Sequence, residues 1–219
     1  MSRTTMTVTP QLHDYLAAHN RPQPDEILRD LAAETADALP DEAGMQIAPE
    51  QGAFMTLLTK VVGVRFAVEV GTFTGYSSLC VARGLAPGGR LLCCDVSEEF
   101  TSIARRYWDR AGVADRIELR IAPGIDTLRA LPTDPPIDLA FVDADKEGYV
   151  DYWDEIVPRL RSGGVVLVDN VFSNGRVVAD DPGPTGEAIQ RFNDHAAGDD
   201  RVELAMLPIA DGLTFARKL

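Results

Sequence analysis

From about residue 64 onward, short runs of β-branched and other apolar residues alternate with stretches of helical periodicity. The runs are Phe66–Val70, Leu91–Asp95, Ile117–Ile121, Ile137–Val142 and Val165–Val168, and most are apolar at nearly every position. A strand that is apolar on both faces must be covered on both, as in a parallel sheet with helices above and below. The intervening helices are expected at Tyr76–Leu85, Glu98–Ala111 and Tyr149–Leu160. Ser97 is placed to cap the second, with Glu98 and Glu99 in its first turn and Gly112 to stop it. Arg159 and Arg161, followed by Gly163-Gly164, read as the end of the third. This alternation gives a doubly wound α/β architecture.

Two segments fall outside it. Residues 10–63 read as helices, with Pro24 and Pro49 near helix starts and Gly63 as a stop. The tail offers a helix near Gly186–Ala197, then Val202–Leu207 and Leu213–Ala216 across a short loop containing Gly212. Such a pair is an antiparallel hairpin at the edge of the sheet. The expected fold is therefore α/β, with a mostly parallel seven-stranded sheet and an antiparallel C-terminal edge. One domain is expected over residues 1–219, with a helical N-terminal arm over 1–63 and the α/β core over 64–219.

Composition narrows the class of function. A chain of 219 residues with 45% apolar and 25% charged residues is that of a globular protein. It contains no apolar run long enough to span a bilayer, and its first residues lack a basic-then-apolar signal. A soluble cytoplasmic protein is expected. The net charge of −13 disfavours binding along nucleic acid, which draws affinity from clustered Lys and Arg. Cys80, Cys93 and Cys94 form no C-x-x-C pair and read as small core residues.

The first strand runs into Glu69-Val70-Gly71-Thr72-Phe73-Thr74-Gly75-Tyr76-Ser77. A glycine-rich turn after the first strand is where an open α/β sheet binds a nucleotide-like ligand. Gly71 and Gly75 would let the backbone approach that ligand closely. The spacing is G-x-x-x-G rather than the G-x-G-x-x-G of dinucleotide sites. Asp95 ends the second strand, where an acid accepts both hydroxyls of a ribose. Glu69 beside the sheet end needs a cationic or hydrogen-bonding partner to offset its desolvation. The ammonium of S-adenosylmethionine would be one, so these residues fit an adenosyl amino acid better than NAD.

The fourth strand ends in Asp143-Ala144-Asp145-Lys146 and the fifth in Asp169-Asn170. If the two strands are parallel neighbours, Asp143, Asp169 and Asn170 emerge side by side. Two carboxylates and an amide oxygen form a hard half-site suited to Mg²⁺, Mn²⁺ or Ca²⁺. Helix capping is the other use of Asp and Asn at such positions. Lys146, three residues after Asp143, is placed to act as a general base.

These residues resemble the metal-dependent O-methyltransferases of the caffeoyl-CoA and catechol type, especially bacterial members. The resemblance spans nearly the whole chain: Met45-Gln46-Ile47 with Pro49-Glu50-Gln51-Gly52, Glu69 to Ser77, Asp95, and Val142 to Lys146. It continues through Asp169-Asn170 with Asn174-Gly175, and Leu207 to Gly212. It implies a Rossmann-like methyltransferase fold. It further implies that Ile47, Glu69, Gly71, Thr72, Ser77, Asp95, Gly124 and Asp143 bind S-adenosylmethionine. Asp143, Asp169 and Asn170 would hold Mg²⁺, Asp145 and Asn174 would touch substrate, and Lys146 would join the metal set in catalysis. A homodimer acting on one hydroxyl of an aromatic vicinal diol is the implied assembly and reaction.

Two features depart from that family's pattern. Ser173 stands where an aromatic residue, commonly Trp, is usual, and the arm has no basic cluster for the phosphates of coenzyme A. A free catechol or phenylpropanoid acceptor is therefore expected, methylated by direct in-line transfer. The alternatives are a methyltransferase acting on a modified RNA base, a nicotinamide-dependent oxidoreductase, and a non-catalytic binder that retains the pocket.

Overall fold

The computed structural model of the chain describes residues 8–134 and 136–219; the first seven residues of the expected arm lie outside the described residues. The arm comprises α1 (Pro10–His19), α2 (Glu26–Ala38) and α3 (Pro49–Val62). The core follows as β1 (Phe66–Val70), α4 (Tyr76–Gly84), β2 (Arg90–Asp95), α5 (Glu98–Arg110) and β3 (Ile117–Ile121). Next come α6 (Gly124–Ala130), β4 (Ile137–Val142), α7 (Tyr149–Arg159) and β5 (Leu160–Asp169). It closes with α8 (Gly183–Ala197), β6 (Val202–Leu207) and β7 (Leu213–Lys218).

The strands form one sheet in the order β3-β2-β1-β4-β5-β7-β6. β1 to β5 are mutually parallel, while β7 runs antiparallel to both β5 and β6. Successive side chains of a strand point to opposite faces. Ala67, Cys93, Leu139 and Leu167 accordingly join one buried cluster with Leu31, Met55, Leu79 and Trp108 from the helices of that face. Val68, Val70, Leu92 and Val166 join the other with Leu128, Trp153, Ile156 and Phe192. The chain leaves β1 toward β2 and β3, then returns to add β4 and β5 on the other side. The crevice at the carboxyl ends of β1 and β4 is the switch point of the sheet.

The arm docks on the first face. Leu28 and Leu31 of α2 and Met55 of α3 are buried there. Arg83–Asp25, Arg106–Glu34 and Arg110–Asp30 bridge α2 to α4 and α5 at the surface. Such exposed pairs contribute little, so apolar burial holds the arm. Thr35 Oγ1 donates to Thr74 Oγ1 at 2.9 Å, which ties α2 to the glycine loop.

The caps agree with the sequence. Asp25 and Ser97 accept from the amides of Leu28 and Phe100, Pro49 begins α3, and Gly63 ends it with φ 68. Two elements differ. The seven-residue helix α6, between Pro123 and Leu131, was not expected. Pro158 lies in the last turn of α7, which stops at Arg159. Leu160 then opens β5, so Gly163-Gly164 lie within the strand at a register shift against β4 rather than at a helix stop. Among the described residues, no helix is long and apolar enough to cross a membrane.

Candidate active site

A cavity of about 690 Å³ occupies the switch-point crevice. Ile47, Gly71, Thr72, Ser77, Asp95, Gly124, Asp143, Asp145, Lys146, Asp169, Asn170 and Asn174 all line it. Residues drawn from 128 positions of sequence thus meet at one sheet edge, because the loops after parallel strands all emerge on the same side.

The glycine loop is shaped by packing. Gly71 and Gly75 both have φ 89. A Cβ on Gly71 would lie 1.9 Å from the Asp143 carbonyl oxygen, and one on Gly75 would lie 2.6 Å from the Ala104 Cβ. Both glycines are thus required by neighbouring elements of the fold, a different reason from the close ligand approach expected of them. Asp95 holds the loop in place: its Oδ2 accepts from the amides of Thr72 (2.9 Å) and Phe73 (2.8 Å), and its Oδ1 from that of Ser97 (2.8 Å). A carboxylate offers about four lone-pair sites. Three are engaged, so Asp95 keeps about one for a ligand hydroxyl, fewer than a bidentate ribose contact uses.

Glu69 is fully buried and does not itself line the cavity. Its Oε2 accepts from the Cys93 thiol at 3.3 Å, while Oε1 has no hydrogen-bond partner among the described residues. Burial pushes its pKa up to about 8, against the pull of the neighbouring Ser77, Cys93 and Thr72 side chains. A carboxyl group so placed gains most from a donor or cation brought by a ligand.

At the ends of β4 and β5 the expected constellation is assembled. The Lys146 ammonium donates to Asp143 Oδ1 (2.9 Å), Asn170 Oδ1 (2.6 Å) and the Tyr149 hydroxyl (2.6 Å). All three of its protons are engaged, so it is no free surface lysine. Tyr149 is buried and donates its own O–H to the Asp169 carbonyl at 3.1 Å. Asp169 is also buried; its Oδ1 accepts from the Asn170 amide and its Oδ2 from Gln51 Nε2, both at 2.7 Å. Burial first, and then the charge of Asp143, push the Asp169 pKa up to about 7.

This donor set fits a hard divalent cation. Asp143 Oδ1 and Asn170 Oδ1 already converge on one positive charge, the Lys146 ammonium. Among the described residues there is no group of three or more acids, histidines or cysteines arranged to hold a metal. The set expected here has two carboxylates and relies on the Asn170 amide oxygen as its third ligand.

The rest of the cavity lining comes from loops. Asp145 Oδ1 accepts from the Tyr152 hydroxyl at 2.5 Å. The amide of Asn174 donates to Asp211 Oδ1 at 2.7 Å, linking the Ser173–Val178 turn to the β6–β7 hairpin. Phe73, Asn170, Ser173, Asn174 and Ala210 are the non-glycine residues with positive φ among the described residues, and every one lines this cavity. Strained backbone of this kind collects where ligands bind. Gln51, Asp211, Tyr152 and Arg176 also line the cavity, and Tyr149 stands behind it. None of these had been singled out for a role. Asp211 and Gln51 lie in segments that carry the family resemblance, which was the signal available for them.

The O-methyltransferase family model matches residues 19–219. Caffeoyl-CoA O-methyltransferase 1 of Eucalyptus globulus is 32% identical over 208 residues, 90% of this chain and 82% of that protein. The crystal structure of the O-methyltransferase from Bacillus cereus in complex with SAH matches with a TM-score of 0.84. Its identity is 31%, over 95% of this chain and 97% of that one. The O-methyltransferase TomG of Streptomyces achromogenes, involved in tomaymycin synthesis and solved with SAM, also gives a TM-score of 0.84. It is 31% identical over 95% and 96% of the two chains.

Proposed function

This chain belongs to the O-methyltransferase family, and on that premise we propose that it methylates one hydroxyl of a small catechol-like or phenylpropanoid acceptor in a divalent-metal-dependent reaction. It is an S-adenosylmethionine-dependent enzyme, which displaces the oxidoreductase reading. The observation that carries the metal reading is the convergence of Asp143 Oδ1 and Asn170 Oδ1 on a single positive charge, beside the buried Asp169 carboxylate.

When bound, S-adenosylmethionine supplies the methyl group and a divalent cation supplies the charge that lowers the pKa of the acceptor hydroxyl. Asp143, Asp169 and Asn170 would hold the cation. Gly71, Thr72, Ser77, Asp95, Asp143 and Gly124 would hold the methyl donor, under Ile47, with Glu69 buried behind the lining and reached only by a donor that the ligand brings to it. Asp145 and Asn174 would meet the acceptor. Lys146 bonds both Asp143 and Asn170, and its charge favours an ionised acceptor oxygen. Acting as the general base would require it first to give up one of its three bonded protons. Direct in-line transfer is the route the side chains support. The thiols of Cys80, Cys93 and Cys94 are buried, and burial pushes their pKa values up, to about 12 for Cys80 and Cys94. Thiols held in this way speak against a thiolate nucleophile.

Against a largely acidic lining, Arg176 offers one place for an acceptor's carboxylate. Asp95, Asp143, Asp145, Asp169 and Asp211 line the cavity, and Lys146 is fully engaged. Arg176 is the remaining cationic side chain in the lining, on the same turn as Asn174. A catechol acid could place its diol at the β4–β5 end and its carboxylate toward Arg176. We further propose a cytoplasmic homodimer of one-domain subunits, on the family resemblance and because two-fold dimers are the commonest assembly.

The test is formation of S-adenosylhomocysteine with caffeate as acceptor, in Mg²⁺ and then in EDTA. Turnover that EDTA stops and Mg²⁺ restores supports donor, acceptor class and metal together. Turnover indifferent to EDTA discards the metal role, and Asp169→Ala should then be harmless.

A further inference from the structure

Gln51 lies in the first turn of α3, in the N-terminal arm, and its side chain is wholly buried. It crosses 118 residues of sequence to donate Nε2–H to Asp169 Oδ2 at 2.7 Å. A carboxylate only accepts, which assigns Nε2 to that contact. Its Oε1 is buried and has no hydrogen-bond partner among the described residues. Leaving a buried amide oxygen without a partner is destabilising. The hydrogen bond to Asp169 is the polar contact that this buried amide makes among the described residues.

What that contact does follows from Asp169. The terminal torsion of an aspartate is broad and selects no single orientation by itself. Here each oxygen has its own tether, Oδ1 to the backbone amide of Asn170 and Oδ2 to Gln51. The first comes from the residue that follows β5 and the second from α3 of the arm. Turning the carboxylate breaks both. We infer that Gln51 is a positioning residue that sets the orientation of Asp169, so that docking of the α3 helix completes the cation site. The inference rests on the metal reading above.

Manganese affinity of the ligand-free protein, measured by electron paramagnetic resonance, tests it alongside S-adenosylhomocysteine affinity measured by calorimetry. Gln51→Met should weaken Mn²⁺ binding about tenfold or more, the range typical of residues that orient a metal ligand. S-adenosylhomocysteine affinity should stay within about twofold, a split that general loss of structure would not produce. If Gln51→Met fails to bind S-adenosylhomocysteine, Gln51→Asn keeps a buried amide but shortens it by one methylene, and the same split is expected. Unchanged Mn²⁺ affinity in a variant that still binds S-adenosylhomocysteine overturns the role of Gln51 alone. A wild-type protein that binds no Mn²⁺ overturns both this role and the metal reading it rests on.

Discussion

Lys146 and Asn170, held by the ends of different strands, are joined by a 2.6 Å hydrogen bond from Nζ to Oδ1, with Asp143 accepting from the same ammonium. The ammonium thus sits among the oxygens proposed to hold a cation. Lys146→Ala should lower kcat by roughly a hundredfold or more, in the range of a lost proton-handling group. It should also leave Mn²⁺ affinity equal or tighter, because one competing positive charge is gone. A fall in both quantities together would show that Lys146 supports the cation site rather than competing with it.

Asp95 has a double burden. Asp95→Ala removes the acceptor for three backbone amides as well as the expected ribose contact. Thermal stability and S-adenosylhomocysteine affinity should both fall. A loss of 1 kcal/mol moves the melting point by about 2–4 °C in a chain of this size. Calorimetry of binding decides the ribose assignment: unchanged affinity removes it, whatever happens to the melting point.

For Arg176, the comparison is between two acceptors. Arg176→Ala should raise KM for caffeate about tenfold, the worth of one charge-assisted hydrogen bond. KM for catechol itself, which has no carboxylate, should stay the same. Equal changes for both acceptors would mean that Arg176 shapes the loop and does not read the acceptor's charge.

Glu69 makes stability depend on pH. Its pKa rises from an ordinary carboxyl value near 4.5 to about 8 in the folded chain, so folding favours the protonated form. The native state binds the extra proton between those values, and stability is lost as pH rises through about 8. The melting temperature of the ligand-free protein should decline from pH 5 to 9, and Glu69→Gln should flatten the decline. Asp169, raised to about 7, adds a slope of the same sign, so some decline persists. An identical profile in Glu69→Gln would remove Glu69 as its source.

The sheet was legible because its strands are apolar on both faces, a pattern that survives without knowledge of neighbours. β5 was read too short: Arg161 looks like a helix-terminal cation, but its Nε bonds Asp138 Oδ1 from within the strand. The short helix α6 carries too few turns to show a periodicity. At the site, acids and glycines at strand ends were visible because their positions follow from topology. Gln51 was not given a role, since nothing local distinguishes a buried glutamine in a helix from an exposed one. Its partner is far away in sequence, and only folding brings the two together. The Asp95 amide contacts were missed for a related reason: a carboxylate at a strand end looks the same whether it faces a ligand or its own loop.

The left-handed residues around the cavity carry a consequence for directed evolution of acceptor scope. Ser173 and Ala210, at φ 49 and 47, sit where a designer would first introduce bulk to reshape the pocket. Bulky and β-branched side chains are poorly tolerated in that conformation, whereas Gly, Asn and Asp adopt it readily. A saturation library at these codons would return mostly small or amide-bearing survivors. New specificity would have to be recruited from positions of ordinary backbone geometry, such as Ile47 and Thr185.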